Sequence, residues 1–271
     1  MNIGFMQGRL SPIERNRIQS FPFSNWKNEF EIANEYNYQF IEWTIDSFLI
    51  EKNPIFIEEK LTEILSMMKK YSIKIESITC DFFMENPFFK TDNLSVNVIE
   101  YLLKLLKIAN IIKIKYIILP LVDNSSIKNQ KEKFLLIKKL EYLSQFIPKK
   151  VKILFETDFD PKENLQFINN FDRSNFGINY DTGNSAHFGY DLVAELDYYY
   201  HCIDNIHIKD RKKNSDSVNL GKGDFDFKTF FSKLIKKGYD GNLILQTARS
   251  KDDQHIYLLN KNRSYIEKYI L

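Results

Sequence analysis

Residues 175–190 read NFGINYDTGNSAHFGY and contain one strand, one break and the start of one helix. Bulky apolar residues alternate with small or polar ones over residues 176–180, which predicts a β-strand. The alternation stops at Asp181, in an Asp-Thr-Gly-Asn stretch that predicts a loop, and a helix is predicted from about Tyr190. A strand that ends in a carboxylate before a loop and a helix is typical of half a βα unit. In such units the functional groups lie at the carboxyl end of the strand.

The same alternation of strand and helix recurs along the chain. Strands are predicted over residues 2–6, 39–43, 73–80, 115–122, 151–155, 176–180, 203–209 and 242–247. Helices are predicted over residues 26–36, 54–71, 131–146, 161–170, 192–200, 227–237 and 252–269, and another, capped by Asp92 or Asn93, ends near Ile112. Eight such units without a linker predict an α/β fold, a single (β/α)8 TIM barrel over residues 1–271. An open doubly wound sheet is less favoured, because no Gly-x-Gly-x-x-Gly turn follows the first strand.

Composition restricts the class of protein. The 271 residues include 38 basic and 36 acidic side chains, for a net charge of +2, and this balance argues against a nucleic-acid partner. No apolar run approaches the roughly 20 residues of a membrane span, and the N-terminus lacks a signal-peptide pattern. Two cysteines, Cys80 and Cys202, are too few for a disulfide framework. We therefore expect a cytoplasmic protein without a nucleic-acid or membrane partner.

Four successive strands in the second half each end in a polar residue that is predicted to point into the barrel. Along each strand the apolar residues face the surrounding helices, so the residues between them face inward. The inward residues at the strand ends are Glu156, Asp181, His207 and Gln246, with Lys209 beside His207. Two carboxylates, an imidazole and an amide oxygen suit Mn²⁺, Mg²⁺ or Zn²⁺, and ligand type does not choose among them. Each residue alone could be structural, but burying four unpaired polar groups together is costly, which favours a metal site.

Several motifs, in order along nearly the whole chain, resemble the sugar-phosphate isomerase/epimerase group of the xylose-isomerase-like barrel superfamily. They are GFMQGRLSP at 4–12, FIEWTID at 40–46, SITCDFFMENP at 77–87, NYDTGNSA at 179–186, IHIKDR at 206–211, LGKGDFDF at 220–227 and GYDGNLILQTAR at 238–249. The resemblance implies a metal quartet from the fifth to eighth strands, whose first and last members are usually glutamates that also act as bases. Glu156, Asp181 and His207 match this quartet position by position. A sugar or sugar-phosphate substrate and pairing into a homodimer are also implied.

Three positions depart from the pattern that the resemblance implies. Gln246 replaces the last glutamate, and a neutral amide cannot accept a proton near pH 7. Asn184 replaces a histidine that often contacts substrate in sugar epimerases of this group, and no Pro-x-Asn follows Glu156. Glu156 is therefore the predicted main base. A same-face proton shuttle, giving aldose–ketose isomerisation, is easier to write than inversion at carbon.

Further candidate residues are expected around the rim of the barrel. Lys209 could polarise a substrate oxygen or bind an anionic group, or could pair with a carboxylate. Arg9 and Arg249 could each bind a substrate phosphate or form a loop salt bridge. His187 could line the pocket, and Glu42 could hydrogen-bond substrate hydroxyls or brace Lys209.

Other functions remain open. A keto-sugar or inosose dehydratase of the same superfamily could use Glu156 without a second carboxylate. A barrel without catalysis could bind a sugar phosphate, because Gln246 would weaken the metal site. Apurinic endonucleases share the fold but need a trinuclear, histidine-rich zinc site and a basic face. Four histidines and a net charge of +2 argue against that function.

Overall fold

Eight parallel strands close into a barrel in the computed structural model, which describes residues 1–90, 96–250 and 252–270. The strands are β1 (Asn2–Met6), β2 (Phe40–Ile45), β3 (Lys74–Cys80), β4 (Tyr116–Leu121), β5 (Lys152–Thr157), β6 (Phe176–Asp181), β7 (Ile203–Ile208) and β8 (Asn242–Leu245). Each strand pairs in parallel with its neighbours in sequence, and β8 pairs with β1 to close the ring. The predicted (β/α)8 barrel is confirmed.

Helices follow the strands, and most of them cover the outside of the barrel. They are α1 (Trp26–Glu35), α2 (Glu58–Tyr71), α3 (Asp81–Glu85), α4 (Val96–Ile112), α5 (Gln130–Ser144), α6 (Pro161–Ile168), α7 (Thr182–Phe188), α8 (Leu192–Tyr199), α9 (Phe227–Lys237) and α10 (His255–Ile270). Within the described ranges, none of them combines the length and apolar character that a bilayer-spanning segment needs. The predicted capping of α4 by Asp92 or Asn93 lies outside the described residues.

The stretch after β6 differs from the sequence-based prediction. A loop was expected at Asp-Thr-Gly-Asn, but α7 begins directly at Thr182. The side chain of Asp181 is its N-cap and accepts a hydrogen bond from the backbone N–H of Asn184. An aspartate that ends a strand can start a helix in this way, because it satisfies a free backbone donor of the first turn. Gly189, at φ +68°, then ends α7 before α8 begins.

The core lies between the strands and the helices, where residues that alternate with the inward set pack. Trp43 of β2 is fully buried, with its ring centroid 5.7 Å from that of Trp26 on α1 and 5.3 Å from that of Phe21. Its indole N–H donates to Asn53 Oδ1 at 3.0 Å, which satisfies the one polar atom of the ring. The alternation that sends Trp43 outward turns its neighbour Glu42 toward the barrel axis.

Candidate functional site

The carboxyl ends of β5, β6 and β7 bring three metal-ligating side chains together. One ligand atom each from Glu156, Asp181 and His207 lies within 4.8 Å of the others. His207 Nδ1 is 3.0 Å from Glu156 Oε2 and 4.0 Å from Asp181 Oδ2. All three residues are buried, and Asp181 pairs directly with His207 in the β6–β7 register. Three of the four predicted ligands therefore lie together, and Gln246, which follows β8, lines the same cavity as Glu156.

Glu42 of β2 contacts His207 at Nε2, the ring nitrogen that is not beside Glu156, and so orients the imidazole. Its Oε1 lies 2.6 Å from His207 Nε2, and both side chains are fully buried. The hydroxyls of Ser77 and Thr79 on β3 each donate to the Glu42 carboxylate at 2.6 Å. A carboxylate at Nε2 holds a ring proton there, so the Nδ1 lone pair points toward Glu156 when the imidazole is neutral. Because Glu42 has no exposed surface, its placement fits orientation of the histidine rather than contact with a substrate hydroxyl.

Among the four predicted metal ligands, two buried polar atoms have no hydrogen-bond partner in the described part of the chain. They are His207 Nδ1, whose approach to Glu156 lacks hydrogen-bond geometry, and Gln246 Oε1. A buried polar group left unpaired costs about 1–3 kcal/mol. A cation would satisfy both atoms, and imidazole, carboxylate and amide donors are those of a divalent metal. The residues present therefore fit a divalent cation.

The charged side chains around His207 shift one another's pKa values. Burial alone would lower the pKa of His207, but the charge of Glu42 and the proximity of Glu156 raise that pKa to about 10. Burial would raise the pKa of Asp181, but the charges of Lys209 and His207 lower it. Glu156, Asp181 and His207 are called the metal-type cluster below. Lys209 Nζ lies 3.1 Å from Asp181 Oδ2, so the lysine forms an ion pair with one carboxylate of this cluster. In the absence of metal, the imidazole is cationic at neutral pH.

A metal ion at this cluster should compete with a proton. Because only neutral imidazole ligates a cation, we expect binding to release about one proton and the apparent affinity to fall about tenfold for each pH unit lowered below pH 9. Calorimetric titration with Zn²⁺ or Mn²⁺, in buffers of different ionisation enthalpy, measures both quantities. His187→Ala, which changes a histidine outside the cluster, is the control and should keep the same proton release. An affinity independent of pH between 6 and 9 would contradict this expectation.

Above the cluster lies a cavity of about 380 Å³ at the carboxyl ends of the strands. The candidate residues that line it are Glu156, Asn184, His187, Lys209 and Gln246. Asn184 Nδ2 donates to Glu156 Oε1 at 2.9 Å, and Asn179 Nδ2 donates to Oε2 at 2.8 Å. These two bonds hold the Glu156 carboxylate at the cavity wall, where it can meet a bound molecule.

Arg9 and Arg249 lie beside the cavity rather than in it. Arg9 Nε donates to the Thr247 carbonyl at 2.9 Å, and its Nη1 donates to Gln19 Oε1 at 3.0 Å. Arg249 Nη2 donates to the Ser11 carbonyl at 2.6 Å. The two guanidinium groups thus tie the loop after β1 to the loop after β8. This placement fits the loop-stabilising alternative better than phosphate binding.

Other residues of the cavity were not among the sequence-based candidates. They include Gln19, Thr79, Asp81, Asp158 and Arg211. Asp81 could have been found by the argument used for Asp181, because it is the polar residue that directly follows a strand. Gln19 offered no such signal, since it belongs to a long loop after β1 whose path depends on Arg9 and Thr44.

Gly183 sets the position of Lys209. A Cβ at Gly183 would lie 2.5 Å from Lys209 Cδ and 3.0 Å from Asp181 Oδ1. We expect Gly183→Ala to push Lys209 off Asp181 and to lower the free energy of unfolding by about 1.5–3 kcal/mol, the contribution of a hydrogen bond to a charged group. Chemical denaturation of Gly183→Ala, Lys209→Met and the double variant measures this, and the double variant should be no less stable than Lys209→Met. Additive losses would show that Gly183 acts independently of Lys209.

Several solved structures have a fold similar to that of this barrel. No curated protein matches the chain. Solved structures that share its fold include an IolI protein with a bound zinc atom, at 18% identity and a TM-score of 0.76 over 99% of both chains. A D-allulose 3-epimerase from Methylomonas sp. in complex with D-allulose has 14% identity and a TM-score of 0.76, covering 99% of this chain and 97% of that one.

A third similar structure is 3-keto-D-glucoside 4-epimerase, YcjR, from E. coli, with 16% identity and a TM-score of 0.69 over 97% of this chain and 99% of that one. At sequence identities this low, the similarity shows a shared fold and does not show a shared function. The family model described as xylose isomerase-like TIM barrel matches residues 30–268, which is most of the chain. Given this match and the closed eight-stranded barrel, the chain belongs to the xylose isomerase-like TIM barrel family.

Proposed function

We propose that the protein is a metal-dependent sugar isomerase or epimerase in which Glu156 removes a proton next to the substrate carbonyl. The observation that carries this proposal is the position of Glu156. Its carboxylate belongs to the cluster with Asp181 and His207 and also lines the cavity. A base at the wall of a cavity, beside a site for a divalent cation, is the arrangement that proton abstraction next to a carbonyl requires.

The residues of this chain have separate tasks in the proposed reaction. Glu156, Asp181, His207 and Gln246 would hold Mn²⁺, Mg²⁺ or Zn²⁺, which when bound would supply Lewis-acid polarisation of a substrate carbonyl. Asn179 and Asn184 aim the Glu156 carboxylate by donating to its two oxygens. The Lys209 ammonium, at the cavity wall, would stabilise negative charge that develops on a substrate oxygen.

The similar structures support a sugar as the substrate, because two of them are named as sugar epimerases and one is described with D-allulose. The bound zinc of the IolI protein supports a divalent cation. The cations that line the cavity are Lys128, Lys209 and Arg211. A phosphorylated sugar would therefore place its phosphate against these residues rather than against Arg9 or Arg249. A homodimer and a cytoplasmic location stay predictions from the sequence.

Proton NMR in D₂O tests the proposed function. Protein reconstituted with Mn²⁺, Mg²⁺ or Zn²⁺ is incubated with a panel of sugars and sugar phosphates. We expect one of them to take up solvent deuterium at the carbon next to its carbonyl and to form an isomer or epimer. Loss of water from the substrate would instead identify a dehydratase. Sugar binding without exchange or conversion, at saturating metal, would identify a barrel that binds without catalysis.

A further inference from the structure

We propose that Asp81 is the second acid–base residue of this site, and that it returns a proton to the substrate on the face away from Glu156. This inference rests on the proposed function and selects epimerisation within it. The same-face shuttle favoured by the sequence follows from the absence of a second base in the metal quartet, where Gln246 stands. The structure places a carboxyl group elsewhere in the same cavity.

The carboxyl group of Asp81 lies in the cavity wall, where it is buried and has no partner among the described side chains. It directly follows β3, is 6% exposed and lines the cavity together with Glu156 and Lys209. In the part of the chain that the structure describes, no hydrogen bond or ion pair engages its carboxylate. The other aspartates of the cavity differ from it: Asp158 accepts a hydrogen bond from Ser126, and Asp123 is exposed. A buried carboxyl without a protein partner costs free energy, which is typical of a group kept for a ligand.

The order of the strands separates Asp81 from the metal-type cluster. In the closed ring, β3 lies four strands from β7 in either direction, so Asp81 enters the cavity from the wall opposite His207. One strand, β4, lies between β3 and β5, which carries Glu156. The two carboxyl groups therefore reach the cavity from different walls. For inversion, a planar intermediate has to lie between these two walls, with Glu156 on one side of its plane and Asp81 on the other.

The surroundings of Asp81 suit a group that both gives and takes protons. Burial, followed by the charges of Glu156 on β5, Glu85 on α3 and Asp46 after β2, raises the pKa of Asp81 to about 7. The Lys209 ammonium, which follows β7, opposes this rise. A carboxyl group with a pKa near the working pH is present in both protonation states, as proton transfer requires.

The proposed step balances in protons and electrons. The Glu156 carboxylate takes the proton from the carbon next to the carbonyl, and the electron pair of that C–H bond forms the C=C bond of an enediolate. Protonated Asp81 then donates its proton to the other face of the same carbon, and the C=C pair forms the new C–H bond. The substrate has lost one proton and gained one, with inversion. Glu156 is left protonated and Asp81 ionised, and proton exchange with water through the cavity mouth restores both.

Asp81→Asn tests this role, because it keeps the shape of the side chain and removes its acid. With the metal-loaded full chain, and a sugar that the wild type converts in D₂O, deuterium uptake into recovered substrate should continue while formation of the epimer falls at least about 100-fold. Asp216→Asn, which changes an exposed aspartate outside the cavity, is the control and should keep both rates. Two measurements besides activity accompany it. Metal affinity by calorimetry should not change, and a carboxyl ¹³C resonance titrating near pH 7 in metal-free protein should disappear.

Each outcome decides between the inference and its alternatives. Wild-type inversion in Asp81→Asn would overturn the role of Asp81. Equal loss of exchange and inversion, at unchanged metal affinity, would also overturn it, because Asp81 would then assist the first proton transfer. An aldose–ketose isomer as the only wild-type product would overturn it while leaving the proposed function intact. Absence of exchange in the wild type with every sugar would remove the proposed function and this inference together.

Discussion

Glu156→Gln should lower the rate of deuterium exchange into the substrate by about 10²–10⁴-fold, the usual contribution of a general base. The amide keeps the size of the side chain but cannot accept a proton. In the structure the two oxygens of Glu156 are held by Asn179 and Asn184, so the carboxylate has a defined direction toward the cavity. Exchange is followed by proton NMR in D₂O with a sugar that the wild type converts.

Because Glu156 also belongs to the metal-type cluster, the rate has to be measured at saturating metal. Calorimetric titration of Glu156→Gln gives the concentration of cation that saturation requires. The matched control is Glu163→Gln, which changes a partly exposed glutamate of α6 and should keep the wild-type rate. If Glu156→Gln, fully loaded with metal, exchanges its substrate at the wild-type rate, Glu156 is not the base.

Glu42→Gln should weaken divalent-cation binding to the neutral imidazole, that is, the affinity corrected for competition by the His207 proton, by about 10–100-fold, although Glu42 is not a ligand. Its carboxylate accepts from His207 Nε2 at 2.6 Å and so keeps the Nδ1 lone pair directed at the cluster. An amide at this position can donate to Nε2, which would favour the tautomer with the proton on Nδ1. The variant also removes the charge that raises the pKa of His207, so proton release on metal binding should decrease.

Calorimetry with Zn²⁺ and Mn²⁺ measures the affinity, and Glu195→Gln is the matched control. Glu195 is also a buried carboxylate, and it accepts hydrogen bonds from the hydroxyls of Tyr180, Ser185 and Tyr199, outside the cluster. Both variants are expected to lose stability, but only Glu42→Gln should lose metal affinity. Equal affinities in Glu42→Gln and the wild type would show that Glu42 does not orient the histidine.

The sequence was sufficient to predict the barrel because each of its strands alternates or is continuously apolar. Glu156, Asp181 and His207 could be predicted to meet because strand alternation fixes which side chains point inward, and parallel register then brings neighbouring strand ends together. Strand boundaries were less accurate: β2 extends to Ile45, two residues beyond the predicted end. Pairing with β3 continues to that residue, and pairing is not visible in one strand alone.

Loops and their charged side chains could not be placed from the sequence. Arg9 and Arg249 are equally plausible phosphate ligands until the fold shows that both bind backbone carbonyls. Asp81 directly follows a strand, which marks it as a rim residue, but only the structure shows that it is buried and lines the cavity. Strand alternation predicts that Glu42 points inward. Its contact with His207 could not be predicted, because the two residues are 165 positions apart in the sequence and meet across the barrel.

The amino-acid order alone therefore determined the architecture and the three clustered side chains, because both depend on local periodicity and on neighbouring strands. The tertiary structure alone decided which polar groups face the cavity, which lie beneath it and which bind loops. Those assignments depend on distances across the barrel and on exclusion of water, and neither is encoded in the spacing of residues along a strand.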